Sequence, residues 1–226
     1  MAIESVENAF VVRGPRTVTA RRVVVATGLV DTLPAIPGVE ALWGTGAVVC
    51  PYCDGWEVRD GTVGVIATSP MSRNQAHLLR QWTADLTVFG AREAGIAATE
   101  LEGFAARGIR VAAPALQITG APGNVVVHTD QGEHRVARVF VGARPVPSDH
   151  LLVPLGCAFT DGPAGSIVRT DGSGETTVRG VWAIGNVADA KALVPIAIGA
   201  GTRAAVEINI SLLEDEIRES VRTPRV

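Results

Sequence analysis

The stretch from Thr62 to Ala113 constrains the fold more than any other part of the chain. It reads TVGVIA, a helical pattern from about Ser72 to Thr83, DLTVFG, a second helical pattern over 97–107, and IRVAA. Short apolar runs that end at small or glycine-containing corners mark strands buried on both faces. Between the first two runs, Ala76, Leu79 and Trp82 recur at helical spacing, joined by Leu78. Strand and helix alternating at this interval make βαβ units and therefore a parallel sheet. RRVVVATG, at 21–28, is a run of the same kind.

The remaining segments fill in around these units. Residues 9–12 and 17–20 alternate like paired strands, with Gly14-Pro15 as the turn. LPAIPG carries two prolines that forbid helix and force an extended crossing. GNVVVHTDQGEHRVARVFVGA reads as antiparallel strands turning at Gln131-Gly132 and leading into a further buried strand, and GARPVP at 142–147 reads as a return crossing. A long apolar helix is expected from about Val194 to Leu213. No internal repeat or low-complexity tract is present.

Composition narrows the partners. A net charge of −3 over 226 residues leaves no basic stripe for phosphates, which argues against nucleic acid. No uninterrupted apolar run reaches about 18 residues, so no membrane span is expected. The N-terminus shows no secretory pattern, and three cysteines do not make a disulfide scaffold, so a cytoplasmic protein is the expectation.

Two of those cysteines lie in CPYCDGW, at Cys50 and Cys53, with Asp54 directly behind. Structural zinc needs four ligands, whereas Cys157 stands alone as an expected core thiol and His77, His128, His134 and His150 are scattered, so no metal site is expected. Two thiols close by coincidence is the blander alternative. Proline and an aromatic between the cysteines restrict the loop and hold the sulfurs together, and one thiolate is then stabilised by its neighbour. Redox chemistry is the better reading. Asp54 stands where a carboxylate can exchange the proton of thiol–disulfide chemistry, or equally where it can cap a helix.

VVVATG, CPYCDGWEVRD, and GVWAIGNVAD followed by AGTRAAVEIN, in this order, resemble the low-molecular-weight thioredoxin reductase family. The similarity is closer to its actinobacterial relatives and to the dithiol oxidases that close disulfides in natural products. The resemblance implies an α/β fold with two doubly wound, Rossmann-like, three-layer domains. Residues 1–36 and 145–226 would form a discontinuous FAD domain, incomplete at its N-terminus, and residues 37–144 an NAD(P)-binding-like domain carrying the CPYC motif. It implies Cys53 against the flavin, Cys50 exchanging with the substrate thiol, and Asp54 as acid–base residue. It also implies FAD contacts at Ala26, Thr27 and Gly28 and at Gly185 and Asn186, the last standing where the family has an acid.

Two departures modify this expectation. Nothing before Arg22 resembles the glycine-rich strand–turn–helix that holds an FAD pyrophosphate, so the chain is expected to begin partway through the FAD domain and to retain FAD poorly. In the nucleotide domain the turn after VGVIA reads Ala67-Thr68-Ser69-Pro70-Met71-Ser72, without glycine. Ser69 puts a side chain where the backbone should approach the pyrophosphate and Pro70 removes an N–H, while small residues at 67, 69 and 72 keep the turn narrow. Ser69, Pro70, Met71 and Arg92 are therefore the expected contacts of a weakly bound NADPH. Arg92 is the one cation after the second strand, beside Glu93. NADPH binding is therefore disfavoured. The expected function is a flavin-dependent thiol–disulfide oxidoreductase, run as a reductase from NADPH through FAD to Cys50/Cys53, or as an NADPH-independent oxidase that uses oxygen. A flavin-free inactive remnant is the third reading. Expected partners are a thioredoxin-like protein or a small dithiol or disulfide, and a second copy in a homodimer.

Overall fold

The computed structural model describes residues 1–7, 9–162 and 165–222. The chain forms two compact units, one from Thr32–Arg144 and the other from Met1–Asp31 with Pro145–Val226.

The Thr32–Arg144 unit is built on a five-stranded parallel sheet in the order 47–48, 138–141, 63–66, 86–89, 110–112. Every residue of Val63–Ile66 and Leu86–Phe89 is buried, which is why these strands read as continuous apolar runs. Four helices belong to the unit: α1 (Val39–Leu42), α2 (Pro51–Asp54), α3 (Ser72–Leu79) and α4 (Ala98–Ala106). On one face of the sheet Val63, Val65, Leu86 and Phe140 meet Ala76 and Leu79 of α3 and Phe104 of α4. On the other, Ile66, Phe89, Val139 and Val141 meet Val39 of α1 and Ile118, Val125 and Val127. The last three come from an antiparallel sheet of 117–121, 124–129 and 132–136, of which only the second and third strands were expected. Helix α3 stops at Leu79, short of the Thr83 expected from periodicity. Thr83 Oγ1 donates to the Gly61 carbonyl (2.5 Å) and accepts the Asp85 N–H (3.0 Å), and the Trp82 carbonyl accepts the Asp60 N–H (3.0 Å). The Trp82 and Thr83 N–H groups still close one irregular turn onto the Leu79 carbonyl (2.9 and 3.2 Å) before the chain enters that loop.

The other unit opens with three antiparallel strands, 2–6, 9–13 and 17–20. The last two are the expected hairpin. RRVVVATG yields strand Val23–Val25, which pairs in parallel with Val181–Ala183. Strands 159–162 and 165–168 form a further antiparallel pair. Ile3, Phe10, Val25, Leu152, Val181 and Cys157 share one core, where the Cys157 Sγ lies 3.4 Å from Thr176 Oγ1. Cys157 is the core thiol its surroundings in the sequence suggested.

Helix α5 (Val194–Arg222) runs nine residues past the expected Leu213. Apolar periodicity fades there, but Arg218 pairs with Asp215 and with Glu214 (3.7 Å), contacts that carry a helix onward through polar sequence. By length and composition α5 is also long and apolar enough to cross a bilayer, which the search for uninterrupted apolar runs did not anticipate. Arg203 and Glu207 interrupt it. One of its faces is tied down by Arg22, 12% exposed, which donates to Ser211 Oγ (2.7 Å) and the Ser211 carbonyl (3.2 Å) and pairs with Asp215. On the opposite face Val206, Ile210, Leu213 and Ile217 follow one another at helical spacing and are all exposed.

Candidate functional site

The cysteine motif folds as a single helical turn. After strand Ala47–Val48, Cys50 is extended (φ −101°, ψ 110°) and Pro51 begins α2 with the fixed φ that suits a first helical position. The turn brings the Cys50 and Cys53 sulfurs to 2.6 Å, and the Cys53 N–H donates to Cys50 Sγ at 3.2 Å. Cys157 belongs to the core of the other unit, and the described residues contain no cluster of ligands suited to a metal. Asp54 is the last residue of α2, so the cap alternative does not hold; Cys50 occupies the cap position.

The sulfurs are not equivalent. Cys53 donates its S–H to Cys50, and this hydrogen bond, helped by partial burial and by the charges of Cys50 and Asp54, pushes the Cys53 thiol up to about 11. Cys53 is therefore the sulfur that keeps its proton, although it is more exposed than Cys50. Replacing Cys50 with Ala removes the acceptor. The Cys53 alkylation midpoint, followed by iodoacetamide labelling against pH, is then expected to fall back toward the ordinary thiol range near 8.5. An unchanged midpoint would mean that the hydrogen bond is not its cause.

Three groups that the sequence reading did not single out support the motif. Arg138, from the start of strand 138–141, bonds Asp54 Oδ1 at 3.2 Å. Gln75 of α3 donates to the Val49 carbonyl at 2.6 Å, immediately before Cys50. Trp82 closes against Gly55, so that a Cβ there would lie 2.6 Å from the indole. Trp82 also meets Trp56 edge-on at 5.8 Å, and the Arg59 guanidinium lies 4.1 Å over the Trp56 ring. Tyr52 and Trp56 are largely exposed and flank Cys53 in the sequence. Only the neighbouring EVRD and the stray tryptophans hinted at this platform; Arg138 lies 84 residues from its partner and carried no local signal.

The nucleotide turn at 67–72 is closed upon itself. The Thr68 N–H donates to Ser72 Oγ (3.2 Å), its hydroxyl donates to the Gly142 carbonyl, and Ser72, Arg73 and Asn74 spend their N–H groups on Ser69, Pro70 and Met71. Pro70 has none to offer. A cavity of about 170 Å³ lies at the strand ends, lined by Ala67, Thr68, Phe89 and Glu93, below the roughly 300 Å³ at which small-molecule pockets begin. Its charged wall is the Glu93 carboxylate, which opposes a phosphate. Arg92 is exposed and outside that lining. Pro70 and Met71 instead border a separate cleft of about 330 Å³ with Arg73, Asn74 and Glu100.

In the other unit Gly185, in left-handed conformation (φ 69°), borders a cavity of about 400 Å³ with Gly172, Ile184, Asp189, Ile196, Gly199 and Arg203. Added Cβ atoms at Gly172 and Gly199 would meet nothing within 4 Å, so bare backbone faces open space on two sides. That lining, rich in glycine and alanine, with two acids, Asp171 and Asp189, and one base, Arg203, fits one side of a flavin nucleotide. Asn186 lies outside that lining. Its amide donates to the carbonyls of Asp189 (3.1 Å) and Ala192 (3.0 Å) and thereby pins the loop into α5. Ala26, Thr27 and Gly28 lie outside this lining; Thr27 Oγ1 donates to the Ser148 carbonyl (2.6 Å), whose own N–H donates to the Gly28 carbonyl (2.9 Å).

Comparison with known proteins agrees with this geometry. Residues 3–201 match the family model described as pyridine nucleotide-disulphide oxidoreductase. The chain is 31% identical over 209 residues to "Thioredoxin reductase tcpT" of Claviceps purpurea and 27% identical over 214 residues to "Thioredoxin reductase sirT" of Leptosphaeria maculans; each match takes in 88% of this chain but only 65% of the relative. Among solved structures, HlmI is 38% identical with a TM-score of 0.88, covering 98% of this chain and 71% of its own. An oxidoreductase from Agrobacterium tumefaciens is 34% identical with a TM-score of 0.83, covering 94% and 72%. The Rossmann-like α/β architecture expected from the motifs is the one observed. The chain belongs to the pyridine nucleotide-disulphide oxidoreductase family, in its thioredoxin reductase-like branch.

Proposed function

We propose that Cys50 and Cys53 are the working redox couple of a flavin-linked thiol–disulfide oxidoreductase that runs as a dithiol oxidase. The observation that carries the chemistry is the adjacent sulfur pair with an acid beside it. In the disulfide form, a substrate thiolate attacks Cys50 Sγ and forms a mixed disulfide, while the S–S bond to Cys53 breaks and its electron pair leaves on Cys53. The Cys53 thiolate released as the bond breaks is stabilised by taking up a proton. Asp54, the next residue, supplies one. The second substrate thiol then attacks the substrate sulfur of the mixed disulfide, releasing Cys50 and the substrate as a disulfide. A bound FAD would supply the two-electron couple that reoxidises the pair, with Gly185 and its neighbours holding one side of it and molecular oxygen as the final acceptor. Tyr52 and Trp56 offer the incoming thiol an aromatic surface.

The direction rests on the glycine-free turn at 67–72, where Thr68 gives its N–H to Ser72 and Pro70 has none, and whose nearest cavity ends at Glu93. The reductase reading, with NADPH as donor and a thioredoxin-like protein as acceptor, is supported by the names of the relatives, thioredoxin reductases tcpT and sirT. The chain, supplied with FAD and given a small dithiol in air, is expected to yield peroxide in step with thiol loss. Anaerobic NADPH is expected to leave the flavin absorbance unchanged for minutes. Prompt bleaching by NADPH without dithiol-dependent peroxide would overturn the oxidase reading in favour of the reductase.

A further inference from the structure

Asp54 does not stand alone beside the sulfurs. Its carboxylate is bonded by Arg138 at 3.2 Å, with the Asp54 side chain 31% and the Arg138 side chain 21% exposed, so water screens the pair only in part. Arg138 is held rigidly, because its backbone is in register with Val63 in the buried parallel sheet. The other charges near α2 are committed elsewhere or point away. Arg59 lies over Trp56, Arg73 pairs with Glu100, His77 is bonded by Arg107, and Glu57 is exposed. Among the described residues Arg138 is the one cation bonded to Asp54.

We infer that Arg138 is a positioning residue of the redox site: it holds Asp54 against the sulfur pair and offsets that acid's charge. The inference rests on the reading of Cys50/Cys53 as the redox couple. An unpaired carboxylate beside two sulfurs opposes the thiolate that exchange requires, whereas a paired one has much of its field cancelled. Asp54 can then serve the leaving sulfur without suppressing the attacking one.

Thiol labelling by iodoacetamide against pH, followed by mass spectrometry on the reduced full chain, reads this without flavin or turnover. Arg138→Met is expected to raise the labelling midpoint of the pair by about half a unit to one unit, the usual scale for one nearby charge. Arg138→Lys restores at least half of that shift. In an Asp54→Asn background the same Arg138→Met change is expected to move the midpoint by less than a third as much, because the charge it offset is gone. A full shift in both backgrounds would show Arg138 acting on the sulfurs directly, and no shift in a folded Arg138→Met chain would show no role; either overturns the inference. If Arg138→Met does not fold, Arg138→Lys takes its place in the cycle, with a smaller shift expected and the same dependence on Asp54. Failure of the peroxide assay would count against the proposed oxidase and leave this result standing.

Discussion

Cys53→Ser and Cys50→Ser are each expected to lower thiol–disulfide turnover by at least about 10³-fold, with the fold unchanged. A serine oxygen cannot form the S–S bond, so the two-electron step has no store on the protein. The variants differ in what they trap. The sulfur left in Cys53→Ser is Cys50, the acceptor of both the Cys53 S–H and the Cys53 N–H. It is expected to form a stable mixed disulfide with a small aromatic disulfide probe near neutral pH. Cys50→Ser leaves Cys53, and trapping there is expected to be slower by an order of magnitude or more. Faster trapping on Cys53 would show that its greater exposure outweighs the hydrogen-bond pattern and would exchange the roles of the two sulfurs. An active Cys53→Ser enzyme would end the proposed mechanism altogether. Cys157→Ser supplies the control, because its sulfur sits in the core with Ile3, Phe10 and Leu152 and takes no part in exchange.

Gly55→Ala is expected to be the most damaging substitution outside the sulfurs. An added Cβ would lie 2.3 Å from the Pro51 carbonyl oxygen and 2.6 Å from two atoms of the Trp82 indole. The carbonyl belongs to the turn that sets the sulfur spacing, and the Gly55 N–H donates to it at 2.9 Å. The indole is wedged between the motif and Trp56. Neither side can yield without moving the other, so overpacking of the usual size, about 1–3 kcal/mol, is expected as a fall in thermal midpoint. Movement of the turn separates the sulfurs, so the rate of disulfide closure by a mild oxidant is expected to fall as well. A normal closure rate with lowered stability would show that the strain is relieved through Trp82 and that the motif is indifferent to it.

The strands of the Thr32–Arg144 sheet were legible because burial on both faces leaves no charged position in the central ones: Val63–Ile66 and Leu86–Phe89 are buried throughout. The end of α3 was not, since the helical spacing of Leu79 and Trp82 continues past the point where Thr83 and Trp82 turn to bond Gly61 and Asp60. The strand 117–121 escaped because its two glycine- and alanine-rich end residues dilute the alternation. In the site, CPYC announced the sulfur pair by itself, and the sequence of the turn announced that Pro70 has no N–H to give. Asn186 and Ala26–Gly28 were placed by likeness to a family; the bonds of the Asn186 amide and the Thr27 hydroxyl within their own unit had no local signal.

The sequence alone determined what short-range rules can express: which runs are strands, where Pro51 starts a turn, and that two cysteines one turn apart bring their sulfurs together. Only the tertiary structure decided which sulfur donates and which accepts, that Arg138 reaches Asp54, and that Thr68 and Ser72 close the nucleotide turn upon themselves. The reason is physical. Propensity and spacing act between residues a few positions apart, whereas an ion pair or a steric contact depends on distance through space, and that distance exists only once the sheet has brought remote segments together.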